Sequence, residues 1–254
     1  MAGVAMAGIV MLVLISLHAW RGDGFLRPRP SASLAGRHSM QSPSTHVPVP
    51  GSLTALTEML SASPQVGPLQ WKAAGGGNGH WYGGYVGANP SWSVARAAAL
   101  RLGGDLVSLA TREESEWVYA NIASIPSMWN LRMGPWIGLR RPDRSSNPRG
   151  DWIWCDGQPM TWSNWGPDHP YDGIGGSLEC DHAKYLSWPP KPMDQWGSDT
   201  DSHQPAIHWE GNRSWIIEWS SDCDSDGQVD YGQIRAGELV DADGNGVPDR
   251  CEQQ

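Results

Sequence analysis

Residues 91–109 read SWSVARAAALRLGGDLVSL, and they set the architecture of the middle of the chain. Ser91 offers a hydroxyl where helices are N-capped. Trp92 to Leu102 then gathers small apolar side chains on one face. Gly103 and Gly104 stop the helix, because glycine enters a left-handed turn without steric cost. Leu106–Leu109 follows as a short strand. The downstream landmarks keep this α+β character. In TREESEWVYANIA, Thr111 and Glu114 form a capping box for a second helix over 112–122, whose apolar face is Trp117, Val118 and Ile122. Trp136–Leu139 (WIGL) and Asp151–Trp154 (DWIW) read as short strands, and SWIIEW at 214–219 as a buried closing strand. Between 156 and 211 periodicity gives way to Gly, Pro, Asp and Trp. So long a loop is functional or disordered, and its Trp content argues against disorder.

The 254 residues include 16 Trp but one Phe, with 31 Gly and 20 Pro. Indole carries an N–H that needs an acceptor, so a Trp-rich core suits irregular backbone; the same rings can also stack on sugars. Net charge is −9, of which residues 221–254 carry −7, while residues 1–75 carry +3. No basic groove follows from this distribution, so nucleic acid is not an expected partner. The acidic tail calls for a cation.

Residues 1–20, MAGVAMAGIVMLVLISLHAW, carry no charged side chain. They have the length of a signal-peptide core or a membrane anchor, so a secreted or surface-tethered protein is expected, touching membrane only through that segment. The segment lacks a basic start, and the nearest small-x-small site, Ser33-Leu34-Ala35, lies well downstream. Residues 21–77, rich in Ser, Pro and Gly, read as a linker with a short helix at Leu53–Leu60. Cys155, Cys180, Cys223 and Cys251 fit two disulfides in an exported protein, with three pairings open.

Seven landmarks fall in one order: GHWY at 79–82, Trp92, GGDL at 103–106, the 112–122 helix, WIGL at 136–139, WIWCDG at 152–157, and Asn164-Trp165, before SWIIEW closes the series. In this the stretch 78–220 resembles the C-type lectin-like domain of bacterial type. The resemblance implies two helices, small antiparallel sheets and a long loop region, with carbohydrate or another surface molecule as ligand. Family members usually tie the first helix to the last strand by a disulfide; those positions are Ala99 and Ile217 here, so hydrocarbon packing replaces the bridge. The family's second bridge starts near Cys180, and with no Cys between Asp181 and Ser221 to receive it, Cys155 becomes the expected partner.

The family's calcium–sugar triplet after Asn-Trp, with a proline that is typically cis, is His169-Pro170-Tyr171 here, without the flanking oxygens. A further family ligand falls on Leu178, with Glu179 beside it, and the Trp-Asn-Asp of the family appears as Trp196 with Asp199. Asp168, Asp172, Glu179 and Asp181 can rebuild an oxygen site, or His169 with His182 a transition-metal site. Solvated surface acids are the plainer reading. The candidate ligand set is Asp168, His169, Tyr171, Asp172, Glu179 and Trp196. Trp162, Trp188, Trp196 and Trp209 are candidate stacking platforms.

In the tail, DCDSDGQVDYGQ (222–233) and DADGNGVPDRCE (241–252) put oxygen side chains at loop positions 1, 3, 5 and 9 and Gly at position 6. These are Asp222, Asp224, Asp226 and Asp230, then Asp241, Asp243, Asn245 and Asp249. Gln228 and Val247 would offer carbonyls at position 7, and Glu252 a bidentate carboxylate at position 12. The pair resembles the EF-hand-like calcium repeats of dockerin-type tails. YGQIRAGEL allows at most two helical turns, and a Cys223–Cys251 bridge would close the module over 221–254. The expectation is thus an exported, non-enzymatic recognition protein with calcium in its tail. The alternative is a docking protein attached to an extracellular assembly through that tail. A metal-dependent enzyme is a weaker third: the chain has no GxSxG, HExxH or phosphate loop, and only His169/His182 and His203/His208 hint at metal.

Overall fold

The computed structural model describes residues 64–141, 150–170, 182–187, 192–200 and 211–252. Outside them lie the apolar N-terminal segment, residues 21–63 of the expected linker, Tyr171, Asp172, Leu178, Glu179, Cys180, Asp181, Trp188, His203, His208 and Trp209.

Helix α1 runs Trp92–Arg101 and α2 runs Arg112–Val118, which continues as a π-helical turn over Tyr119–Ala123. Both begin as their sequences dictate. Ser91 accepts from Val94 N–H at 3.2 Å, and Thr111 accepts from Glu114 N–H at 3.2 Å. The box around α2 closes differently from expectation: Glu114 Oε2 reaches back to Ala110 N–H at 2.9 Å, one residue before the cap. Gly103 ends α1 at φ +72°, in the left-handed region that spares only glycine a steric cost.

The strands are β1 (Val66–Gln70), β2 (Trp81–Val86), β3 (Asp105–Leu106), β4 (Met133–Arg140), β5 (His182–Leu186), β6 (Trp196–Asp199) and β7 (Ser214–Trp219). They form one sheet in the order β1-β2-β7-β4-β5-β6, with β3 also on β7. β1 lies within the stretch 21–77 expected as linker, so the sheet begins at Val66, upstream of residue 78. The strand expected over 106–109 is shorter, because only its start pairs with β7. The expected 151–154 strand is reduced to single bridges at Ile153, to Arg140 and to Pro159.

β7 is central and buried at all six residues. A two-residue period therefore separates two cores. Trp215, Ile217 and Trp219 face α1 in a cluster with Tyr85, Trp92, Ala95, Ala98, Ala99 and Trp136. Ile216 joins the opposite cluster of Tyr82, Val118, Ile122, Trp154 and Trp196. Several indole N–H groups find backbone carbonyls: Trp92 to Ile137 at 2.8 Å, Trp136 to Pro90 at 3.0 Å and Trp162 to Leu109 at 3.0 Å. Those of Trp81, Trp196 and Trp215 are buried without a partner among the described residues.

Ala99 and Ile217 are both 0% exposed in the α1-side cluster, so hydrocarbon does occupy the place of the staple. Burying the Ile side chain contributes about 2–3 kcal/mol. A disulfide closing a loop of about a hundred residues would contribute about 4–5 kcal/mol. Packing alone leaves this junction weaker than a bridge would.

The tail carries α3 (Asp230–Ala236), two turns long as its sequence allows, and a 3-10 turn at Asp249–Cys251. Cys223 and Cys251 are bridged, with Cα atoms 6.1 Å apart. Among the described residues no helix is long and apolar enough to cross a membrane.

Candidate functional site

The loop after Asn164-Trp165 is held on β6: Gly166 N–H donates to the Trp196 carbonyl at 2.8 Å, and Trp196 N–H to that of Asn164 at 2.8 Å. Asp168 takes φ +65°, and the His169–Pro170 peptide is cis, as the family resemblance implies. Beside this turn lies a cavity of about 560 Å³, lined by Arg132, Pro167, Asp168, His169, Leu186 and Met193 among others.

His169 is no metal ligand in this arrangement through Nδ1, because that atom accepts from Ser198 N–H at 3.1 Å. Burial holds the imidazole below its ordinary pKa, and the Lys184 ammonium adds to this against the pull of Asp199 and Asp168. His182 instead stacks on Trp92, ring centroids 4.4 Å apart. No cluster of three or more ligating groups among the described residues includes either histidine.

Trp196 departs from expectation most plainly. It is 0% exposed, edge-on to Trp154 at 5.6 Å, Trp162 at 5.1 Å and Trp165 at 6.0 Å. It is core rather than a stacking platform, because four indoles close on one another there. Trp162 is also tied inward through its bond to Leu109.

Asp199, three residues after Trp196, is 8% exposed and paired with the Lys184 ammonium, itself 1% exposed and 5.0 Å from the Trp136 ring centroid. An attached cation thus already stands against this buried carboxylate. Sequence reading missed Lys184, although a lone basic residue inside the alternating strand HAKYL signals a buried charge that needs a partner.

Cys155 is the described end of the bridge expected to Cys180. It is a free thiol packed on the α1-side cluster, with burial and Asp105 raising its pKa; Arg96 donates to its carbonyl at 3.3 Å. The thiol faces α1 and Asp105, and its expected partner, Cys180, lies outside the described residues.

A third group escaped the sequence reading altogether. His80, Glu114 and Glu218 meet with their ligating atoms all within 4.8 Å of one another. Every carboxylate oxygen there has a donor. Glu218 binds His80 Nδ1 at 2.6 Å and Ser108 N–H at 2.8 Å; Glu114 accepts from Tyr82 at 2.6 Å, Asn78 at 3.0 Å and Ala110 N–H. Burial pushes Glu114 up to about 7, the Glu218 charge adding to it. Burial opposes the charged form of His80, but the bond to Glu218 and the surrounding carboxylates outweigh it and raise its pKa. This is a satisfied network with His80 as its cation. The signal for it was an acid, Glu218, on an inward face of SWIIEW.

In the tail the two acidic loops repeat one another bond for bond. The position-1 acid accepts from the N–H groups of positions 5 and 6: Asp222 from Asp226 at 3.1 Å and Gly227 at 2.9 Å, Asp241 from Asn245 at 3.1 Å and Gly246 at 2.9 Å. Position 5 accepts from position 7, Gln228 to Asp226 and Val247 to Asn245, both at 2.8 Å. Position 9 accepts from position 2, Cys223 to Asp230 at 3.0 Å and Ala242 to Asp249 at 2.8 Å. Positions 4 and 6 are left-handed in both: Ser225 +60°, Gly227 +85°, Gly244 +72°, Gly246 +83°.

In the first loop, Asp222, Asp224 and Asp226 bring their oxygens within 4.8 Å of one another. Two further oxygens there are buried without a partner, Asp230 Oδ1 and Gln233 Oε1, on residues 2% and 7% exposed. Orphaned buried oxygens at positions 9 and 12 beside three carboxylates fit a hard cation such as calcium. Gln233 stands at position 12 of the first loop, where Glu252 stands in the second.

No family model matches the chain. The low affinity immunoglobulin epsilon Fc receptor of Mus musculus is 34% identical over 89 residues, 35% of this chain and 23% of that protein. C-type mannose receptor 2 of Homo sapiens is 32% identical over 141 residues, 50% of this chain and 9% of the receptor. The chain therefore spans less than a quarter of the length of these relatives. The cow CD23 carbohydrate-recognition domain, crystallised in the presence of GlcNAc2Man3 oligosaccharide, is 26% identical with a TM-score of 0.40, covering 57% of this chain and 91% of that one. The curated relatives support a C-type lectin-like domain in this chain.

Proposed function

We propose that the protein is an exported, non-enzymatic recognition protein whose lectin-like domain binds a carbohydrate or another surface molecule at the Asp168–His169 loop without calcium. Tyr171, Asp172 and Glu179 complete that loop in this reading. Calcium belongs to the tail, held by Asp222, Asp224, Asp226, Asp230, the Gln228 carbonyl and Gln233, and by the matching residues of the second loop through Glu252. The boundaries proposed are a leader or anchor at 1–20, a linker ending near residue 65, the lectin-like domain to 220 and the tail module beyond.

The observation that carries the reading is the buried Lys184–Asp199 pair, whose charges act on His169 of the cleft. A tethered ammonium neutralises the carboxylate permanently, so binding there draws its specificity from shape and hydrogen bonding. A glycan and surface-protein array, probed with and without chelator at a temperature where the protein stays folded, tests this. Binding that survives chelation and falls with Asp168→Ala is expected. Binding that requires calcium and is lost on substituting the loop acids would refute it.

A further inference from the structure

The tail touches the body at two places. Tyr231 on α3 stacks on Trp219 at the end of β7, with centroids 4.2 Å apart and planes 16° from parallel, and meets Trp81 edge-on at 5.9 Å. Arg235, one turn on, lies over the Trp81 and Tyr231 rings at 5.7 and 5.8 Å. At the second place, Gly246 of the second loop lies backbone to backbone on the end of α1. A Cβ on Gly246 would come 2.3 Å from the Leu102 oxygen, and one on Gly103 2.4 Å from the Gly246 oxygen. Trp219 Nε1 donates to that same Leu102 oxygen at 2.7 Å. Within the tail, the Cys223–Cys251 bridge and the Arg250–Asp224 pair join the two loops.

We infer that the tail is an intramolecular clasp: it ties the end of α1 to the end of β7, the elements that Ala99 and Ile217 leave without a covalent staple, and calcium in its loops tightens that hold. The contacts stand by themselves; only the calcium arm rests on the metal reading proposed above. The physical link is position 6. Gly246 donates its N–H to Asp241 and presses its backbone on Leu102 and Gly103, so ordering the second loop and seating it on α1 are one event. A ligand that binds only the ordered loop stabilises whatever unfolds with it.

The chain carries its own reporter. All sixteen Trp lie at or before Trp219 and none in the tail, so tryptophan-detected unfolding reads the body. The full chain is melted in chelator and in calcium at about a hundredfold its Kd, with binding measured separately by titration calorimetry. Calcium is expected to raise the tryptophan-detected midpoint by roughly 5–10 °C. Tyr231→Ala, at a non-ligand position of the loop, is expected to keep calorimetric binding, to lower the calcium-free midpoint by roughly 5 °C, and to lose at least half of the calcium response. Tyr231→Leu, which keeps apolar contact, falls between and serves if the alanine variant does not fold. Calcium that binds while the body's midpoint stays put overturns the clasp and leaves the metal reading standing. If no calcium binds, the metal reading fails, and the calcium-free midpoints decide: a drop in the Tyr231 variants supports the clasp, and no drop overturns it.

Discussion

Glu114→Gln tests whether the buried His80–Glu114–Glu218 network is a net cost at neutral pH. The wild-type carboxyl stands at about 7 in the folded protein against an ordinary 4.5, because burial and Glu218 disfavour its charge. At 1.36 kcal/mol per unit, that shift is worth about 3 kcal/mol. The sign follows from proton linkage. Below 4.5 the group is neutral folded and unfolded, and costs nothing; above 7 it is charged in both states, and the whole penalty is felt. His80 runs the same way, since its raised pKa gives stability that is complete below 6.5 and lost as pH rises through the folded value. His169 runs oppositely: its lowered pKa gives stability complete above 6.5 and lost as pH falls through the folded value, which flattens the acid end.

The wild-type midpoint, measured in chelator so that metal binding does not enter, should therefore fall between about pH 5 and 8 by roughly 5–10 °C. In Glu114→Gln the amide can still accept from Tyr82, while its NH2 confronts the Ala110 N–H, a loss of about 1 kcal/mol. The variant should be slightly less stable than wild type at pH 5, equal or better at pH 8, and should show less than half the slope. A wild-type midpoint that is flat or rises over that range, or a Gln variant that keeps the slope, would show that the carboxyl is not held neutral by its surroundings.

Lys184→Met leaves Asp199 buried without its cation and should cost about 3–5 kcal/mol in denaturant unfolding, whereas Lys184→Met with Asp199→Asn should recover most of that. A full loss that the double variant does not relieve would mean the pair is not coupled. For Cys155, alkylation of the unfolded, unreduced protein followed by mass mapping should find the label on Cys155 and none on Cys223 or Cys251. On the native protein, labelling of Cys155 should be slow, because burial disfavours the thiolate.

What the sequence made legible was what short-range chemistry dictates. Ser91 and Thr111 cap because a hydroxyl at those points meets a free N–H, and Gly103 ends α1 because no other residue sits there freely. Gly138 of WIGL has a reason visible only in three dimensions: a Cβ there would lie 2.5 Å from the Leu106 carbonyl oxygen, so β4 can approach β3 only without a side chain. The tail loops were legible because their ligands are set by spacing along one short segment. The site elements that escaped are those assembled from distant segments. Lys184 with Asp199, and His80 with Glu114 and Glu218, join residues whose pairing exists only once β2, α2, β5, β6 and β7 are placed. The surroundings of Cys155, Asp105 and α1, likewise come from segments distant in sequence.

The two regions of negative charge answer one electrostatic problem in different ways, and burial explains the difference. Asp199 and Lys184 are taken out of water, where a lone carboxylate is expensive and a cation must be present whenever the chain is folded. An attached ammonium meets that requirement at any calcium level, so the fold around the cleft does not depend on the medium. The carboxylates of Asp222, Asp224 and Asp226 stand mostly in water, where their mutual repulsion is screened and tolerable. Arg250 pairs with Asp224 at the surface, where such a pair is weak and can give way to an exchangeable cation. Metal sensitivity is therefore expected where exposure makes it affordable, at the tail. In the clasp inferred above, that sensitivity would reach the body through the tail's packing on Trp219 and Gly103.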